Sequence, residues 1–175
     1  MIILEGADGS GKSTLKAKLK KDFKLIDLSL TKVDSIEERQ ERALVSPKFS
    51  INCITDRSFF ISELVYSQLL RGYKVPKTLW PCIARVYAGH LIIICTGQGE
   101  EVRKDYDSDE EVWQKTQQTK KDAQVLYQEI SEYLHTLTYN FQEDSYEELR
   151  EKVKSYLKCF YAGIERDLWR PYEGI

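Results

Sequence analysis

The sequence predicts an α/β fold, a three-layer sandwich with a parallel sheet between helices, and three observations carry that prediction. A G-x-x-x-x-G-K-[ST] loop, Gly6-Ala7-Asp8-Gly9-Ser10-Gly11-Lys12-Ser13, stands between an apolar run and a helix-forming segment. Strand-like and helix-like stretches then alternate along the chain, the pattern that right-handed crossovers with helices on both faces require. Leu91–Cys95 reads Leu-Ile-Ile-Ile-Cys with no polar residue, as expected of a central strand covered on both sides. At 175 residues, 42% hydrophobic and 31% charged, the chain is long enough for one well-buried domain, which we expect to span 1–175.

Taken in order, Ile2, Ile3 and Leu4 form the first strand, and Glu5 leads into the loop. The segment from Ser13 onward combines strong helix formers with Leu15 and Leu19 four apart, so a helix opens directly on the loop. A second strand is expected over 23–30 and a short solvated helix over 35–44, stopped by Pro47. Thr31-Lys32-Val33-Asp34 spells a pattern that guanine-binding switches use, but it lies far too close to the loop and follows no D-x-x-G segment. We read it as coincidence. A third strand over 49–55 delivers Asp56-Arg57-Ser58 to its C-terminal end, the edge where open parallel sheets bind ligands.

Next comes a helix over 59–70 with Ile61, Leu64, Val65 and Leu69 as its buried stripe, closed by Gly72 and Pro76. A further helix is expected over 79–89, and after Leu91–Cys95 the strongly polar stretch 98–109 reads as a lid. A long helix over 110–137, a short strand over 138–141 and a helix from the Ser145/Glu148 capping box through Leu157 complete the pattern. The last segment, 158–175, holds Phe160, Tyr161, Trp169 and Tyr172. We expect it to dock on the domain, with a homodimer contact as the alternative.

The loop residues define the chemistry. Gly6 and Gly11 admit backbone conformations closed to residues with a Cβ, so successive N–H groups can turn into one anion-binding concavity at a helix N-terminus. Lys12 adds a charge for the β- and γ-phosphates, and the Ser13 hydroxyl suits Mg²⁺. A net charge of −2 without an extended basic block argues against a general duplex-binding surface. No apolar run is long enough to span a bilayer, and with the loop starting at Gly6 we expect no signal peptide and a cytoplasmic protein. Cys53, Cys82, Cys95 and Cys159 are far apart without a C-x-x-C pair, which predicts buried free thiols.

The stretch Glu5-Gly6-Ala7-Asp8-Gly9-Ser10-Gly11-Lys12-Ser13-Thr14 resembles the phosphate loop of thymidylate kinases and their viral (phage-type) deoxynucleoside monophosphate kinase relatives. Asp56-Arg57-Ser58, with Ser62 and Tyr66 on the helix after it, resembles that family's D-R-[YFS] motif. The resemblance covers most of the chain. It implies a five-stranded sheet in order 2-3-1-4-5 with a small lid, and transfer of the ATP γ-phosphate to a deoxynucleoside monophosphate such as dTMP, with Mg²⁺ as cofactor. In that scheme ATP is held by Gly6, Asp8, Gly9, Ser10, Gly11, Lys12, Ser13 and Thr14. Metal falls to Ser13 and Asp56, and the acceptor to Asp8, Arg57, Ser62, Tyr66 and Lys32. Lys12, Asp56, Arg57 and a lid arginine, Arg103, carry the chemistry. The family's R-E-P-G motif after the second strand and its thymine-reading A-D-R stretch are absent, with Thr31-Lys32 standing in place of the first.

Two alternatives are weighed against this reading. A deoxynucleoside kinase needs a carboxylate at the end of the second strand as general base, and the positions expected there, Leu28 to Thr31, hold none. A nucleotide-binding switch that hydrolyses slowly needs a D-x-x-G element that the chain lacks.

Overall fold

The computed structural model describes residues 1–29, 52–98 and 110–168, with the backbone alone at 110–117 and 160–168. Five strands, β1 (Ile2–Glu5), β2 (Ile26–Asp27), β3 (Cys53–Asp56), β4 (Leu91–Cys95) and β5 (Leu137–Tyr139), form one sheet in the order β2-β3-β1-β4-β5. Every pairing is parallel. Strand β1 therefore lies at the centre, with Leu4 in register with Asp56 on one side and Ile93 on the other. The strand sequence reverses direction across β1, and a crevice opens at its C-terminal end. The expected sheet and its order are observed.

Helices cover both faces. On one face Ile3, Ile92 and Ile94 join a buried cluster with Ile61, Leu64 and Val65 of α2 (Phe59–Arg71), Trp80 and Ile83 of α3 (Trp80–Val86), and Ala123, Tyr127 and Ile130 of α4 (Glu110–Leu134). Ile2 and Leu4, also buried, alternate to the opposite face, where α1 (Lys12–Phe23) packs on β1 and β3 and buries Leu15 and Leu19. Each such apolar side chain contributes about 1.5–3 kcal/mol on burial, so the strand that precedes the loop is firmly anchored in the core.

Several boundaries differ from expectation for local reasons. Helix α1 runs through Phe23 and closes on Lys24 in the left-handed conformation (φ 51°), which reduces β2 to the two residues paired with Cys53 and Ile54. The helix expected over 79–89 is a 3₁₀ turn, Lys77–Leu79, followed by α3, with Pro81 in its first turn and a turn at Tyr87 to Gly89 after it. Helix α4 stops at Leu134 because His135 turns left-handed (φ 51°), and β5 starts earlier, at Leu137.

Contacts divide the chain into two compact units, Met1–Glu143 and Asp144–Ile175. The second is built on α5 (Tyr146–Leu168), which opens where the Glu148 amide donates to Ser145 Oγ (3.4 Å). It runs eleven residues beyond Leu157, the end expected from sequence. Leu149, Val153 and Leu157, four apart, are its buried stripe. The expected helix over 35–44, the lid over 98–109 beyond Gln98, and Trp169 and Tyr172 lie outside the described residues, as do the side chains of Phe160 and Tyr161. All four cysteines are free, but only Cys53 and Cys95, on strands, are buried. Cys82 and Cys159 are exposed because they sit on the outer faces of α3 and α5. Among the described residues no helix is long and apolar enough to cross a membrane, and no cluster of three or more His, Cys, Asp or Glu side chains could hold a metal.

Candidate active site at the phosphate loop

The loop leaves β1 at Glu5 and enters α1 at Lys12, and its glycines are conformationally obligatory. Gly6 has φ +139°, and a Cβ there would stand 2.3 Å from the carbonyl oxygen of Cys95. Gly11 has φ +84°, and its Cβ would meet the ring of Phe141 at 2.7 Å. The Lys12 ammonium, nearly buried, donates to the carbonyls of Gly6 (2.8 Å) and Ala7 (2.6 Å) and lies 3.5 Å from Ser10 Oγ. Burial, followed by the charge of Arg57, lowers the Lys12 pKa, and Asp56 and Asp8 work the other way.

A cleft of about 700 Å³ opens over the loop, lined by residues 8–14 together with Lys16, Ser29, Asp56 and Arg57. Of the residues singled out from sequence, the structure thus gathers Asp8, Gly9, Ser10, Gly11, Lys12, Ser13, Thr14, Asp56 and Arg57 around one space. Gly6 lies beneath it. Arg57 pairs with the Asp8 carboxylate, and its guanidinium lies over the Tyr66 ring, 5.0 Å from the centroid. Ser62 is not among the residues lining the cleft, and its hydroxyl donates to Glu5 Oε2 at 3.4 Å. Lys32 and Arg103 lie outside the described residues.

Sequence reasoning passed over four residues: Lys16 and Ser29, which line the cleft, and Asp27 and Glu5, which hold the residues around it. Lys16 stands one helical turn after Lys12, a spacing that could have pointed to it. Its ammonium reaches Ser29 Oγ (3.0 Å) and Asp27 (3.2 Å), and the same Ser29 oxygen accepts the Asp56 amide at 2.8 Å. Glu5 is fully buried, with Oε1 accepting the Ser58 amide (2.5 Å) and hydroxyl (2.8 Å) and Oε2 accepting Tyr127 OH (3.1 Å). Burial pushes its carboxyl up to about 7 against the pull of those bonds and of Arg57. A charged residue in an apolar strand was the available signal for it.

Asp27 corrects an expectation. Because β2 is short, the acid at its end is Asp27, one position before the span inspected from sequence. Burial alone would raise its pKa, but hydrogen bonds from Ser29 and from Lys20 and Lys16 outweigh that and hold the carboxylate far below the usual range. Such a group is a poor base.

The donor set fits a hard divalent cation. Asp56 Oδ1 is buried without a hydrogen-bond partner among the described residues, and the exposed Ser13 lines the same cleft. Carboxylate and hydroxyl oxygens beside a phosphate site are what Mg²⁺ takes.

Fold and site together define a parallel α/β chain with a G-x-x-x-x-G-K-[ST] loop leaving its central strand. Comparison with solved structures finds the same fold in the YorR protein from Bacillus subtilis, determined in complex with phosphorylated GDP. The TM-score is 0.63 and the identity 22%, over 92% of this chain and 97% of that one. No family model matches the sequence, and no curated protein does.

Proposed function

We propose that the chain is a nucleoside monophosphate kinase of thymidylate kinase-like type, transferring the ATP γ-phosphate to a deoxynucleoside monophosphate. One observation carries the reading: a second cation, Arg57, outside the loop, shares one cleft with Lys12 and is held there by Asp8 and Tyr66. An arginine fork grips a phosphate bidentately, and each charge-assisted bond contributes on the order of 1.5–3 kcal/mol. Lys12 and the loop amides hold the donor triphosphate. In the transfer an acceptor phosphate oxygen bonds to the γ-phosphorus as the bond to the β,γ-bridging oxygen breaks, giving ADP and a nucleoside diphosphate. Mg²⁺ held by Ser13 and Asp56 would neutralise charge on the β- and γ-oxygens.

The acceptor's second pKa lies near ~6, so at neutral pH it is largely ionised and needs placement more than a base. That suits a site whose β2 carboxylate, Asp27, is tied up by two lysines. The YorR complex supports a nucleotide in this cleft, and the family resemblance supports the monophosphate. Arg103 and Lys32 keep the roles that resemblance gives them, on the transferring group and the acceptor.

The test is a paired assay of deoxynucleoside monophosphates and their nucleosides, with wild type and Arg57→Ala, reading ADP release. We expect turnover of a monophosphate but not of its nucleoside, and a loss in the variant of roughly 10²-fold or more in kcat/KM for the monophosphate with ATP binding little changed. Robust turnover of the bare nucleoside, or an Arg57→Ala variant with unchanged kinetics, would replace this reading with the deoxynucleoside kinase.

A further inference from the structure

Arg57 is a non-glycine residue in the left-handed region, with φ 70°. A side chain pays a conformational penalty there, so the surroundings must hold the backbone in place. Three braces do so. The Arg57 amide donates to the Leu4 carbonyl (2.8 Å), the Arg57 carbonyl accepts from Thr55 Oγ1 (3.2 Å), and the next amide, Ser58, donates to Glu5 Oε1 (2.5 Å). Two consecutive residues of β1 thus fix two consecutive residues of the turn. Glu5 also reaches α4 through Tyr127, whose ring meets Tyr66 edge-on with centroids 6.5 Å apart. Tyr66 is the ring on which the Arg57 guanidinium rests. One carboxylate therefore secures the backbone that launches Arg57 and, through Tyr127 and Tyr66, the surface that supports its head.

We propose that Glu5 is the positioning residue for Arg57: buried beneath the phosphate loop and in contact with no substrate, it sets where the guanidinium stands in the cleft through Ser58 and through the Tyr127–Tyr66 pair. The inference rests on the proposed function for its kinetic consequence, but the clamp itself does not need it. Glutamine at position 5 keeps an acceptor for Ser58 and offers an amide that the Ser62 and Tyr127 hydroxyls can accept, so it preserves the clamp. Aspartate keeps the carboxyl group but withdraws it by one methylene. Alanine removes it.

The experiment compares wild type, Glu5→Gln, Glu5→Asp and Glu5→Ala by two readouts. The first is the Arg57 Nε–Hε NMR signal without nucleotide, assigned by its loss in Arg57→Ala. We expect it sharp and shifted from its random-coil position in wild type and Glu5→Gln, and moved to that position in Glu5→Asp, which serves if Glu5→Ala does not fold. The second is the KM for the monophosphate against that for ATP. Misplacing a phosphate-binding group by about 1 Å costs on the order of 10–100-fold, so the acceptor KM should rise by that factor in Glu5→Asp while the ATP KM stays within about twofold. An unmoved Arg57 signal in Glu5→Asp, or a rise in both KM values together, overturns the proposal. Absence of acceptor-dependent turnover in wild type would overturn the kinase reading alone, and the NMR arm would still decide the clamp.

Discussion

At the scale of single residues, Lys12 shows how the loop stores its cation. Its ammonium sits against two loop carbonyls, Gly6 and Ala7, which compensate a charge that burial disfavours. A phosphate entering the cleft offers that ammonium a full negative charge in place of two dipoles, so the lysine gains more from ligand than it gives up. Removing it leaves no loop cation, because the other lining cations, Lys16 and Arg57, are engaged by Asp27 and Asp8. Lys12→Ala should therefore lower turnover by roughly 10²–10³ or more, with the circular dichroism spectrum retained. Near-normal turnover in a folded Lys12→Ala protein would remove the loop from the chemistry.

At the scale of elements, legibility followed the distance over which a signal acts. The strand β1, the loop and the start of α1 were readable because their determinants, an apolar run, two glycines and the Lys-Ser pair, lie within fourteen residues. The C-terminal end of α2 was equally local, since Gly72 closes it with φ 63°. The extent of strand β2 depends on which residues β3 pairs, and α5 continues past Leu157 through Gly163, a residue that more often closes a helix than lies within one. The Glu5 cluster joins residues 53 and 122 positions apart, and no spacing rule reaches that far. The loop itself offers a sharp test, since two of its glycines differ in what a methyl group would meet. Gly6→Ala combines φ +139° with a backbone oxygen at 2.3 Å, whereas Gly9→Ala has φ +82° and open space within 4 Å. In urea unfolding we expect Gly9→Ala to cost about 1 kcal/mol and Gly6→Ala several, on the order of 3 kcal/mol or more, because backbone cannot move aside as a side chain can. Equal losses in the two variants would mean that Cys95 yields.

For the molecule as a whole, two titrations of opposite sign, one of the buried Glu5 and one of the half-buried His90, shape stability between pH 4 and 7. Glu5 titrates near its ordinary value of 4.5 when unfolded and at about 7 when folded. Between those values the folded chain binds the extra proton, so its contribution to stability falls as pH rises, by on the order of 3 kcal/mol across the window. His90 runs the other way. Burial, and then the charge of the N-terminus, lowers its pKa from 6.5 to about 4, so the unfolded chain binds the extra proton and stability rises with pH between those values. Its Nδ1 is buried without a hydrogen-bond partner among the described residues, which favours the neutral ring. The two slopes oppose each other from about pH 4.5 to 6.5, and wild type should look flatter there than either variant. Glu5→Gln removes the falling limb, so its stability relative to wild type should climb from pH 4.5 to 8 by up to about 3 kcal/mol. His90→Asn removes the rising limb, so its stability relative to wild type should decline over pH 4 to 6.5. Urea unfolding of the three proteins at four pH values decides this, and a gap between Glu5→Gln and wild type that stays constant with pH would show that the Glu5 carboxyl keeps its ordinary pKa in the folded chain.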